Sequence, residues 1–195
     1  MRKRFILILS VMFLTMLAGC RQDEIEPISI IVPFGSTQFA QLDLQNDSVH
    51  YEVDVVSGPD VLSAAFVSKT HDVIIAPTNL GAILFHNNQN YMLFASIIWG
   101  NLYLVSKDIE ISSMSDLEGK TITVFGQNQT PDIILSFIID TLEIDVTIEY
   151  VDSVTTAQGL LASGQKDIIL TAEPALSALK NNLGDLHQID VQLAY

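Results

Sequence analysis

Lys120-Thr121-Ile122-Thr123-Val124-Phe125-Gly126-Gln127-Asn128-Gln129-Thr130-Pro131-Asp132 is a complete structural unit written in thirteen residues. Lys120 to Phe125 is a strand by composition, rich in β-branched and aromatic residues. Gly126 to Gln129 is a polar turn. Three start signals for a helix follow and agree with one another: Thr130 as the cap, Pro131 at the first helical position and Asp132 in the first turn. Ile133 to Leu142 then fills that helix.

The same alternation continues on both sides. Downstream, Thr147 to Val151 predicts a strand, Thr155 to Ala162 a helix ended by Gly164, Asp167 to Leu170 a strand, Ala175 to Leu183 a helix and His187 to Leu193 a last strand. Upstream, Ile28 to Val32, Tyr51 to Val56, Asp72 to Ala76, Tyr91 to Ile98 and Leu102 to Val105 read as strands. Helices are expected over Gln38 to Leu44, around Val61-Leu62-Ala65-Phe66, and from Leu80 to Phe85. Two rounds of strand, turn and helix predict an α/β protein of two lobes with mainly parallel sheets. Residues 28–106 form the expected first lobe and 107–188 the second, with a return crossover beginning at 189–195. The rounds share a pattern rather than residues, so they are not a repeat.

The first twenty residues give the address. Arg2, Lys3 and Arg4 precede an apolar run from Phe5 to Leu17, and small residues lead into Cys20. This is the layout of a secretory signal peptide over residues 1–19. Its end, Leu17-Ala18-Gly19-Cys20, resembles a bacterial lipobox, whose cysteine carries lipid, so 20–27 is expected to be a lipid-anchored tether. Stable anchoring needs more than one acyl chain, which a di- or triacylated cysteine supplies. Cys20 is the only cysteine, which excludes an intrachain disulfide and a cysteine-rich zinc site. All 23 acidic residues and six of the nine basic ones follow Cys20, a net charge of −17. Such a chain repels nucleic acid and anionic lipid surfaces.

Ligands of α/β sheets sit beyond the carboxyl ends of strands, at helix N-termini. Four turns meet that description: Gly35-Ser36-Thr37, Pro77-Thr78-Asn79, Gln127-Asn128-Gln129-Thr130 and Glu173-Pro174. The first two belong to one lobe and the others to the second, so facing lobes bring them around one cleft. Their neutral donors and acceptors suit a small polar molecule. Each of Ser36, Thr37, Asn79 and Thr130 also suits helix capping alone. Trp99-Gly100-Asn101 is a further focus, with Trp99 either stacking on a ligand or packing in the core. Glu173 either binds a ligand nitrogen or starts its helix. The four histidines lack metal spacing, and no nucleophile elbow or phosphate loop is present. No catalytic residue, metal or cofactor is expected.

Four segments together resemble a known group: Val32-Pro33-Phe34-Gly35-Ser36; Ala76-Pro77-Thr78-Asn79-Leu80-Gly81; Trp99-Gly100-Asn101 with the strand to Ser106; and Asp116-Leu117-Glu118-Gly119-Lys120 with Val124-Phe125-Gly126 and Thr130-Pro131-Asp132. From Ile28 to Tyr195 the chain is similar to the type 2 periplasmic-binding-protein fold, and within it to the ABC-transporter solute-binding lipoproteins grouped with nitrate, sulfonate, taurine and thiamine-pyrimidine binders. Glu173-Pro174 matches the Glu-Pro usual in their second lobe. The resemblance implies a two-lobed receptor that closes on a solute and delivers it to a membrane permease and its ATPase. From the four turns and the Trp99-Gly100-Asn101 focus, the expected ligand-binding residues are Gly35, Ser36, Thr37, Thr78, Asn79, Trp99, Asn101, Gln127, Asn128, Gln129, Thr130 and Glu173. Trp99 and Glu173 direct the expectation to a small polar solute, aromatic or heteroaromatic solutes included. Family members usually run on for about a hundred residues that complete lobe one, so this lobe is expected to be incomplete, the chain a truncated product, and apolar surface exposed. An enzyme on the same fold, of the pyrimidine-precursor synthase or small-molecule lyase type, and a surface lipoprotein that no longer transports are the competing functions.

Overall fold

The computed structural model describes residues 26–87 and 90–194. The signal segment, Cys20 and most of the tether lie outside the described residues, as does Tyr195.

Two sheets carry the structure. The first is parallel, in the order β2-β1-β3, built from β1 (Ile28–Pro33), β2 (Tyr51–Val56) and β3 (Val73–Ile74). Helices α1 (Ser36–Phe39), α2 (Leu42–Gln45), α3 (Pro59–Ser68) and α4 (Thr78–Asn87) accompany it. The one helix expected over Gln38 to Leu44 is two single turns instead. The second sheet has the order β6-β5-β7-β4-β8, from β4 (Leu102–Ser106), β5 (Thr121–Phe125), β6 (Thr147–Val151), β7 (Ile168–Ala172) and β8 (His187–Asp190). Its helices are α5 (Thr130–Leu142), α6 (Val154–Ala162) and α7 (Ala175–Leu183). Strands β5, β6 and β7 run parallel, while β4 lies antiparallel between β7 and β8.

This topology moves the lobe boundary. Leu102–Ser106 pairs along its whole length with β7, from Leu102 opposite Ala172 to Ser106 opposite Ile168. The polar stretch after Ser106 looked like the break in the sequence, but the five-residue ladder assigns β4 to lobe two, and the first crossing falls at Gly100-Asn101. The strand expected over His187 to Leu193 ends at Asp190, where the Asp190 carboxylate accepts the backbone N–H groups of Gln192 and Leu193 and bends the chain.

Burial divides unequally. Of the 26 buried apolar residues described, 20 lie between Leu102 and Val191, and only Ile30, Ile31, Val32, Leu62, Ala65 and Phe66 lie before them. Lobe two therefore holds most of the hydrophobic driving force. Leu104, Leu117, Ile122, Val124, Leu135 and Leu170 are fully enclosed on one face of its sheet, and Ile169, Leu161 and Leu176 on the other. The approach to β5 is fixed by a capping box. Asp116 accepts the backbone N–H and hydroxyl of both Ser112 and Ser113, which holds its carboxyl well below the usual range, at about 2. In lobe one, large apolar side chains stay exposed, Phe34, Phe39 and Phe94 among them. Tyr91 to Ile98, expected as a strand, forms none: among the described residues no strand lies alongside to complete its ladder.

Candidate functional site

The carboxyl end of β1 runs directly into the first turn. Gly35 has φ 119°, a conformation open chiefly to glycine, and this sharp bend starts α1. Thr37 does not face outward, because its hydroxyl donates back to the Pro33 carbonyl at 2.7 Å. Ser36 does reach across. Its Oγ accepts the Asn101 side-chain amide at 3.1 Å. The same amide lies 3.5 Å from the Glu173 carbonyl, and the Glu173 N–H donates to the Asn101 carbonyl at 3.0 Å. Asn101 thus joins the end of β1 to the end of β7 at the point where the chain crosses between lobes.

A second cross-lobe bond lies at the other pair of turns. Thr130 Oγ1 donates to Asn79 Oδ1 at 2.8 Å. The start signals of α5 predict Thr130 as its cap. Gln129 occupies the cap position instead, Thr130 is the first helical residue, and its hydroxyl is free to bridge to α4. All four predicted turns are therefore linked in pairs, with one member of each pair from each lobe.

The loop between β5 and α5 is held from beneath by a residue known from the sequence only as a helix-start signal. Asp132 is 7% exposed. Its carboxylate accepts the Asn128 N–H at 2.7 Å, the Ser136 hydroxyl at 3.2 Å and the Tyr150 phenol at 2.8 Å. The bond to Asp132 is the main cause that pushes the Tyr150 phenol up, with burial adding to it. Asn128 adopts φ 60°, which asparagine tolerates better than most residues, and Gln129 N–H donates to Gly126 O at 2.8 Å. Gln127, Asn128 and Gln129 consequently present their side chains to solvent, as does Thr78 at the start of α4.

Two predicted residues each carry two expected roles. Trp99 is 85% exposed, which removes the core reading; its indole N–H donates to Ser96 O at 3.1 Å. Glu173 accepts Ser177 N–H and Ser177 Oγ, each at 3.1 Å, so its carboxylate serves the first turn of α7. Its contribution at the junction comes from the main chain. Gln192 is a residue with no sequence signal. Its Oε1 accepts Leu102 N–H at 3.1 Å, and its side chain lies so close to Gly100 (φ 94°) that a Cβ there would stand 2.7 Å from Gln192 Cγ. Tyr103 lies nearby, its phenol pushed up by burial and then by Asp190 and Glu173. An open depression of about 450 Å³ lies elsewhere, along β2 and Pro27, and includes none of these residues.

The two-lobed α/β architecture, with turns paired across the lobes, defines a type 2 periplasmic-binding-protein fold. Solved structures agree. An ABC transporter protein from Parabacteroides distasonis matches with a TM-score of 0.74 and 24% identity, over 85% of this chain and 59% of that one. A periplasmic sulfonate-binding protein of Methylobacillus flagellatus matches at 0.61 and 19%, over 85% and 57%. The alkanesulfonate-binding protein of Xanthomonas axonopodis, bound to MOPS, matches at 0.54 and 19%, over 83% and 60%. The chain spans about three fifths of the length of these solved proteins. No family model and no curated protein matches the sequence.

Proposed function

We propose that this chain is an extracytoplasmic solute-binding protein of an ABC importer, anchored by lipid on Cys20, that holds a small polar solute between its lobes. The observation that carries the reading is the pair of cross-lobe bonds, Asn101 to Ser36 and Thr130 to Asn79. They set neutral donors and acceptors from both lobes against each other at strand ends, where a solute hydroxyl, amide or oxyanion exchanges for one partner of each bond. Gly35 shapes the first turn. Thr78, Gln127, Asn128 and Gln129 line the approaches, Thr37 braces the first turn through Pro33, and Glu173 fixes the junction. Trp99, two residues before Asn101, offers an exposed ring to an aromatic or apolar part of the solute. The solved structures of like fold support transport rather than turnover, and imply a permease and its ATPase as partners.

Calorimetric titration of the full chain with an alkanesulfonate, an amino acid and a pyrimidine tests this. At least one binds, and the double variant Asn101→Ala/Thr130→Val weakens it by about tenfold or more. Absence of binding by every solute, or equal binding by the double variant, refutes the reading.

A further inference from the structure

Building on the solute-binding reading, on which this rests, we infer that the solute held between the lobes is a cation, a small molecule bearing a protonated amine.

Charge is sorted along the strands. Every Lys and His among the described residues lies at the end away from the paired turns. His50 and His71 precede β2 and β3, and Lys69 closes α3 shortly before His71. Lys120 and Lys166 precede β5 and β7. Ser106 lies opposite both His187 and Ile168, the first residue of β7, which puts Lys107 and His187 at that same end. His86 and Lys180 stand in the last turns of α4 and α7, helices that start at the paired turns and run away from them.

The carboxyl ends carry the opposite sign. Asp60 and Asp132 occupy the first turns of α3 and α5. Asp152 follows β6, Glu173 follows β7, and Asp190 lies opposite Tyr103. Two of these carboxylates answer the helix amides that an anion would otherwise use. Asp132 accepts Asn128 N–H at the start of α5, and Glu173 accepts Ser177 N–H at the start of α7. An oxyanion leaving water finds those donors taken and no cation beside them. An ammonium group enters a field of its counter-charge. Tyr103, next to the crossing, registers that field: its phenol is pushed up by burial and then by Asp190 and Glu173. Gln38, in the same single turn as Ser36, keeps a buried Oε1 with no hydrogen-bond partner among the described residues, an acceptor that an amine N–H satisfies. Gln192 Nε2, buried and equally without a partner, takes a neutral oxygen that the amine carries. Trp99 offers an exposed indole face, the aromatic surface that attracts a cation most strongly. Of the groups able to exchange into the cross-lobe bonds, amine, hydroxyl and amide remain and the oxyanion does not. At 19% identity the sulfonate-binding proteins share this architecture, and the sorting of charge is read from this chain itself.

The test is titration of the full chain at pH 7 with two matched series: ethanolamine, ethylene glycol and ethanesulfonate; benzylamine, benzyl alcohol and benzenesulfonate. Calorimetry and the emission of Trp99, the single tryptophan, report binding. In at least one series the amine binds about tenfold or more tightly than the alcohol, and the sulfonate binds least. Glu173→Gln, which keeps an acceptor for Ser177, weakens the amine about fivefold and narrows its advantage over the sulfonate. Asp167→Asn makes the same change of charge at the far end, on an exposed residue ahead of β7, and leaves both values as they were. A sulfonate or alcohol that binds as tightly as its amine overturns the inference while leaving a solute-binding protein. Equal loss of amine affinity in Glu173→Gln and Asp167→Asn overturns it too, because net charge alone would then account for the preference. Binding by none of the six overturns it as well, and titration with the amino acid and the pyrimidine then decides the solute-binding reading separately.

Discussion

Replacing Asp132 by alanine removes the buried acceptor beneath the β5–α5 turn, and its cost can be worked from three bonds. A hydrogen bond to a charged group contributes about 1.5–3 kcal/mol when it is shielded from water. None of the three donors is so shielded. Asn128 sits on an exposed turn, Ser136 is half-buried, and Tyr150 is 40% exposed, so water replaces part of each bond. The charge at the start of α5 adds about 0.3–1 kcal/mol through the helix dipole. A loss of about 2–4 kcal/mol at neutral pH is expected, well below the simple sum of three shielded bonds. Urea unfolding of the parent and Asp132→Ala proteins measures it. The Tyr150 phenol supplies a second readout. Its folded pKa is raised above about 10 chiefly by the bond to Asp132, so the neutral phenol is favoured in the folded state. That part of the stability is fully present below about pH 10 and disappears as pH climbs through the raised value. The difference between the two proteins should therefore narrow in alkali, and the ultraviolet titration of one tyrosine should move down in the variant. A loss under about 1 kcal/mol, together with an unchanged tyrosine titration, would refute the reasoning.

Three further outcomes follow from the same structure. Asp116 has its carboxyl held down to about 2 by the Ser112 and Ser113 bonds, so its contribution is present above the ordinary value of 3.8 and is lost as pH falls towards about 2; Asp116→Asn should flatten the acid limb of a stability profile in that window. Leu170→Ala, at a fully buried site on the central strand of lobe two, should cost about 3–5 kcal/mol and lower hydrogen-exchange protection throughout that lobe. Leu62→Ala, in the small cluster with Ile31 and Ala65, should leave lobe-two protection intact.

Lobe two was readable from sequence because its signals are local and concordant. Strand, Gly126 turn and Pro131 helix start follow one another within thirteen residues, and the structure reproduces them within a residue or two. The four turns were legible as places for the same reason. Their partners were not. Ser36 and Asn101 are 65 residues apart, Asn79 and Thr130 are 51 apart, and neither pair leaves a periodicity in the chain. Assigning Thr130 to capping was a reasonable local rule, overridden when a distant acceptor took its hydroxyl. Tyr91 to Ile98 failed in the opposite sense. Its composition favours a strand, yet a strand is a relation between two segments, and propensity in one does not create the other. The asymmetric burial was equally hidden, because Phe94 and Leu104 look alike until the neighbours they need are counted.

The pairing of β4 with β8 has an engineering consequence. Val191 N–H donates to Leu102 O at 3.1 Å, and Leu102 N–H in turn reaches Gln192, so the stretch from Leu102 to Val191 starts and finishes at one spot. It is a cassette with adjoining ends. Such a unit can be spliced into a host loop, or have its termini joined and a new opening cut in an exposed turn, with little change in its internal geometry.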